Sequence, residues 1–176
     1  MAPTGTERRF GDDEIIVTKT DLQGRLVYAN DVFLRVSALT EAEALGQPHS
    51  LIRHPRMPRG VFRLLWQSLQ SGEELFAYIC NLAADGAHYW VLAHATPSYG
   101  PDGAVVGYHS SRRSPDRHAL ARVQPLYDRV LVEEARHPKA RAAAEVGAAM
   151  LLDEAQKAAG SYDAFVWSLL DEGSAA

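Results

Sequence analysis

The 176-residue sequence contains a single cysteine, Cys80, which excludes an internal disulfide and any zinc site built from several thiolates. No apolar run approaches the about 20 residues that a membrane-crossing helix needs. The N-terminus mixes Arg8, Arg9, Asp12 and Asp13 with Gly and Pro and carries no apolar signal segment. A cytoplasmic chain without membrane insertion is therefore expected. There is no basic block either: 18 Lys+Arg against 22 Asp+Glu leave a net charge of −4, which argues against nucleic acid as a partner. Gly-x-Ser-x-Gly, His-Glu-x-x-His and a phosphate-binding glycine loop are all missing, as is a kinase, cyclase or coiled-coil output segment, so no enzyme is expected. His88 and His94 stand six positions apart on one extended run. At strand rise that is roughly 20 Å, too far to share a metal. The adjacent acids Asp12-Asp13 and Glu133-Glu134 read as solvated charge.

What is present is a globular composition, 47% hydrophobic and 23% charged, with a clear change of period along the chain. Ile15 to Thr18 and Arg25 to Ala29 flank the turn residues Thr20-Asp21-Leu22-Gln23-Gly24 and predict a hairpin. Asn30 and Thr40 are caps for two short helices, the second with Glu41 and Glu43 in its first turn. Pro48, Pro55 and Pro58 prevent regular helix until about residue 58. Val61, Phe62, Leu65, Trp66 and Leu69 then recur at helical spacing up to Gly72.

Three extended runs follow, Phe76 to Leu82, His88 to Thr96 and Val105 to Ser111, joined at Asp85-Gly86 and Asp102-Gly103. The order of elements defines an α+β fold, an antiparallel sheet with helices on one face. From Asp116 the texture is helical again, in segments 116–134, with Pro125 expected to kink or restart the helix, 139–159 and 162–170. The resulting division is a flexible tail over 1–13, an α+β domain over 14–113 and a C-terminal helical extension over 114–176.

Between Thr20 and Arg113 stand Thr20-Asp21-Leu22-Gln23-Gly24, Tyr28-Ala29-Asn30-Asp31 with Phe33 and Ser37, Gly46-Gln47-Pro48-His49, Arg53-His54-Pro55 with Met57-Pro58, Phe62 with Trp66, and Asp85-Gly86 with His88-Tyr89-Trp90-Val91. By these residues the chain resembles a PAS sensor domain, and within that superfamily the flavin-binding PAS domain of bacterial aerotaxis receptors. The resemblance implies a five-stranded antiparallel sheet with short helices on one face, enclosing a site that holds FAD non-covalently as a redox reporter.

By that resemblance Arg53 and His54 match the motif on which flavin binding depends, and a guanidinium suits a pyrophosphate because its fork of donors meets phosphate oxygens in pairs. Asn81 matches the strand asparagine that faces the flavin ring, where an amide both donates and accepts. Asn30, His49, Phe62, Trp66 and Trp90 complete the expected cofactor-binding set. His49 reads equally as a loop histidine, and Phe62 and Trp66 equally as core, four apart on a helix. Tyr89 and Trp90 alternate on a strand, so only one can face the site. The sequence departs from the family at Arg56, where an acid is usual, at Leu75 in place of a tryptophan, and at Cys80 and Leu82, where neighbours of the asparagine are basic.

Cys80 lies in an extended run and not in the helical Asn-Cys-Arg setting of blue-light relatives, so it reads as a small buried hydrophobe. Heme, held by one histidine such as His54 or His109, remains an alternative ligand, and an interaction module with no cofactor is another. Having no output segment, such a chain is expected to signal to a separate protein through its C-terminal helices, with a homodimer as a further use of the same faces.

Overall fold

The computed structural model describes residues 2–171. They form two compact units: residues up to Pro55 with Leu69–Ser114, and Arg56–Ser68 with the residues from Pro115 onward. Residues 56–68 thus fall with the C-terminal helices and not with the strands on either side of them in sequence.

The first unit is built on a five-stranded antiparallel sheet of β1 (Ile16–Thr20), β2 (Leu26–Ala29), β3 (Leu75–Leu82), β4 (His88–Tyr99) and β5 (Val105–Arg113), in spatial order β2-β1-β5-β4-β3. The expected hairpin and three-strand meander are both present. Helix α1 (Asp31–Ser37) starts at Asn30, and α2 (Glu41–Ala44) at a complete capping box in which the Thr40 side chain accepts from Glu43 N and the Glu43 carboxylate reaches back to Thr40 N. A single 3-10 turn, His49–Ile52, follows Pro48.

The hairpin register decides which side chains share a face. Asn81 pairs with Tyr89, Ile79 with Val91 and Ala77 with Ala93, while Ala93 also pairs with Arg112, and Arg112 with Ile16. These residues therefore line one face of the sheet. Cys80 pairs with Trp90 and Phe76 with His94 on the other.

Within the segment expected to be a flexible tail, Thr4, Thr6 and Arg8 hydrogen-bond to the sheet unit. Strand β4 begins four residues before its pairing with β5 does, at Leu92, which leaves the His88 backbone open on that side. Thr6 O accepts from His88 N at 2.9 Å and Arg8 N donates to His88 O at 2.7 Å, so the N-terminal segment fills the vacant ladder position. Arg8 then donates to Val36 O and pairs with Asp85.

The second unit comprises the first turns of α3 (Arg59–Gln70) with α4 (Arg117–Glu134), α5 (Ala140–Ala159) and α6 (Tyr162–Asp171). Helix α4 does not restart at Pro125 but runs through it, at the expense of the hydrogen bond that residue 125 would have given to Ala121 O. Glu134 corrects the reading of solvated charge: it is buried, and its carboxylate accepts from Arg59 N at 2.9 Å and Gly60 N at 2.8 Å. These are two of the four orphan donors at the start of α3, so Glu134 acts as that helix's N-terminal cap from 75 positions away. Gly60 and Gly147 permit the close approach: a Cβ on Gly60 would stand 2.4 Å from the Ala148 nitrogen, and one on Gly147 2.1 Å from the Glu134 Oε1.

Candidate functional site

On the Asn81 face of the sheet the fold gathers polar side chains that a hydrophobic core would not carry. Arg112, near the end of β5, is only 4% exposed. Its Nη2 donates to Thr18 Oγ1 at 2.9 Å and to His49 Nε2 at 2.7 Å, with Thr18 Oγ1 itself 3.4 Å from that nitrogen. An imidazole nitrogen that accepts from a guanidinium carries no proton, so His49 is neutral with its proton on Nδ1. Electrostatics agree: burial, then the Arg112 and Arg53 guanidiniums, hold its pKa well below the ordinary 6.5. Burial also pulls Arg112 down to about 10, which leaves it charged at neutral pH.

Three polar atoms on this face are buried without a hydrogen-bond partner among the described residues: Asn81 Nδ2, the Tyr89 hydroxyl and Arg112 Nη1. Burial pushes the Tyr89 phenol upward, so it remains a neutral donor and acceptor. Groups of this kind are rarely left unsatisfied in a finished interior, where each costs about 1–3 kcal/mol. Gathered on one face, they form a candidate donor and acceptor set.

The sequence-derived residues fall into three groups. Arg53 and Asn81 meet directly, in an isolated antiparallel bridge along the free edge of β3. His54 is buried, edge-on to His88 with ring centroids 5.9 Å apart, and His49 joins Arg112. Asn30 is consumed by the fold: its Oδ1 accepts from Phe33 N and Val17 N and its Nδ2 donates to Ile15 O. These three bonds make it a scaffold residue, with one Nδ2 hydrogen left over. Trp90 pairs with Cys80 and so stands on the face opposite Asn81. Phe62 and Trp66 lie in the part of α3 that belongs to the second unit.

Arg56, the charge reversal noted in the sequence, is exposed and 3.0 Å from Asp128 of α4. Thr18, Tyr89 and Arg112 were not singled out as site residues. The signal for Tyr89 was available, since a hairpin centred on Asp85 puts residue 89 opposite residue 81.

Over residues 26–112 the chain matches the model of the PAS fold, and it belongs to the PAS family. Among curated proteins it is similar to the aerotaxis receptor of Escherichia coli (strain K12), with 40% identity over 118 residues, 67% of this chain and 23% of the receptor. It is 28% identical over 99 residues to the nitrogen fixation regulatory protein of Klebsiella pneumoniae, 56% of this chain and 20% of that protein. The chain thus spans between a fifth and a quarter of these two relatives.

Among solved structures, a light-oxygen-voltage domain studied with a flavin analogue gives a TM-score of 0.54 at 19% identity, covering 65% of this chain and 86% of that one. The dark structure of the blue-light photoreceptor Aureochrome1 LOV gives 0.53 at 20%, covering 68% and 85%. At these identities the solved structures establish the fold. Among the described residues no helix is long and apolar enough to cross a membrane.

Proposed function

We propose that the sheet unit binds FAD non-covalently and that the protein reports redox or oxygen status to a partner protein. The observation that carries this reading is the set of buried, unsatisfied polar atoms on one sheet face, at Asn81, Tyr89 and Arg112, in a chain 40% identical to an aerotaxis receptor over its PAS region. The chemistry of the set fits a flavin. An isoalloxazine edge alternates acceptors and donors, and a side-chain amide with a phenol can answer both. Arg53, paired through its backbone with Asn81, and His54 supply the cationic and imidazole groups suited to a pyrophosphate.

When bound, the flavin supplies a redox-active ring whose N5 gains a proton on reduction. Asn81 can hold either a bare or a protonated ring nitrogen, because turning its amide over exchanges a donor for an acceptor. Its strand is bonded to Arg53, so a change in Asn81 reaches the loop that carries Arg53 and His54. Of the two histidines considered for heme, His109 lies on the face opposite Asn81, since it pairs with Lys19 and Thr96, which leaves His54 as the one that a heme alternative would use. Nothing in this scheme calls for catalytic turnover. Exposed apolar side chains of the second unit, Val132, Leu152 and Trp167, support a partner or a second copy docking on the C-terminal helices.

The test is a fluorescence titration of FAD with the full chain and with Arg53→Ala, His54→Ala and Asn81→Ala. Saturable binding by the wild type, weakened about tenfold or more in each variant, is the expected result. Unchanged binding in all three would place the flavin elsewhere.

A further inference from the structure

The interior of the sheet unit holds a charge, that of Arg112, with no counter-charge among the described buried residues. Among the described residues the buried polar and charged side chains are Thr18, Ser37, His54, Asn81, Arg112 and Glu134. The one acid, Glu134, belongs to the second unit and is engaged by Arg59 N and Gly60 N. Arg112 forms no ion pair with a described residue; its partners are a hydroxyl and a neutral imidazole, both on Nη2. Its Nη1 is buried and has no hydrogen-bond partner among the described residues. An isolated buried ion is costly even after relaxation, and natural interiors keep one where a counter-charge completes it. The existing contacts look like aiming devices: Thr18 and His49 fix one arm of the guanidinium fork and leave the other presented to the face shared with Asn81 and Tyr89.

We infer that Arg112 is an anion-binding residue of this site, its Nη1 donating to a negatively charged or electron-rich oxygen of the ligand. The inference deepens the flavin reading and rests on it. FAD carries such oxygens in two places, the pyrophosphate and the pyrimidine-dione edge of the ring, whereas riboflavin has only the second. The role also explains why a rigid fork, and not a shorter polar residue, stands at an inward position at the end of β5.

The experiment titrates FAD and riboflavin with the wild-type chain and with Arg112→Gln and Arg112→Lys. Arg112→Gln is expected to weaken binding about ten- to a hundredfold, with Arg112→Lys, which keeps the charge, losing less. An equal loss for both flavins assigns the oxygen to the ring edge; a loss confined to FAD assigns it to the pyrophosphate. Unchanged affinity for both, while Asn81→Ala still loses binding, overturns the Arg112 assignment and leaves the flavin reading intact. A wild-type chain that binds neither overturns the flavin reading and this inference with it. Should Arg112→Gln fail to fold, arginine side-chain NMR of the wild type decides: flavin must shift one protected guanidinium signal, and no shift contradicts the assignment.

Discussion

Arg112 and His49, 63 positions apart, meet at 2.7 Å, and the contact fixes the charge of both: the guanidinium donates, and the imidazole must be neutral to accept. A histidine held neutral in the folded state makes stability depend on acid. Its folded pKa lies below the unfolded 6.5, so the unfolded chain takes up the proton first as pH falls. The contribution is complete above about pH 6.5 and declines progressively below it, down to the folded pKa. Thermal melts between pH 8 and pH 5 are expected to show this decline, and His49→Gln, which cannot titrate, should flatten it. Parallel curves for the two proteins would mean that His49 does not contribute to the acid dependence.

The second unit makes a sharper mechanical prediction. Glu134→Ala leaves Arg59 N and Gly60 N unsatisfied at the start of α3 and should cost roughly 2–4 kcal/mol in denaturant unfolding. Gly60→Ala should be comparably damaging, because its new methyl meets the Gly147 and Ala148 backbone, which cannot step aside as a side chain could. Wild-type midpoints in both variants would contradict the packing described.

Asn30→Asp separates cap from donor. The carboxylate still accepts from Phe33 N and Val17 N, but nothing donates to Ile15 O. Asn30→Ala loses all three bonds and should cost about 1–2 kcal/mol, with Asn30→Asp falling between it and the wild type. Since Asn30 is a scaffold residue, flavin affinity per folded molecule should change far less than in Asn81→Ala.

Arg56→Ala is expected to be nearly silent, within about 1 kcal/mol, because both members of the Arg56 and Asp128 pair are largely exposed. An unfolding midpoint that moves well beyond that limit would show that the charge reversal at Arg56 does more than this surface pairing.

Most of the fold was legible from local chemistry. The turn residues around Gly24, Gly86 and Gly103, all at positive φ, and the caps at Asn30 and Thr40 are short-range signals, and the elements they delimit are found where those signals put them. What failed were inferences in which a distant partner decides. Glu134 looked like surface charge because the N–H groups it caps lie some 75 positions away, and Thr6 and Arg8 gave no local sign of their bonds because the ladder position they fill is on β4. Asn30 was correctly read as a cap, and its Oδ1 accepts from Phe33 N and Val17 N while its Nδ2 donates to Ile15 O, bonds that tie it to the scaffold.

The site was half visible for the same reason. Arg53, His54 and Asn81 came from motif resemblance, and the structure brings Arg53 and Asn81 together across 28 positions. Alternation along β4 could not by itself choose between Tyr89 and Trp90; the register, set by the turn at Asp85-Gly86, makes the choice. Arg112 escaped because the extended run read from β-branched and small residues stops at Ser111, whereas the strand continues to Arg113.

The central claim is that the unsatisfied polar face of the sheet unit is a flavin site. Its most direct test is an absorption spectrum of the full chain, taken as purified and again after incubation with FAD and removal of free cofactor, with the released ligand identified by chromatography. The account predicts flavin bands and an FAD peak, both lost in Asn81→Ala. A Soret band, or a protein that stays colourless after reconstitution, would contradict it.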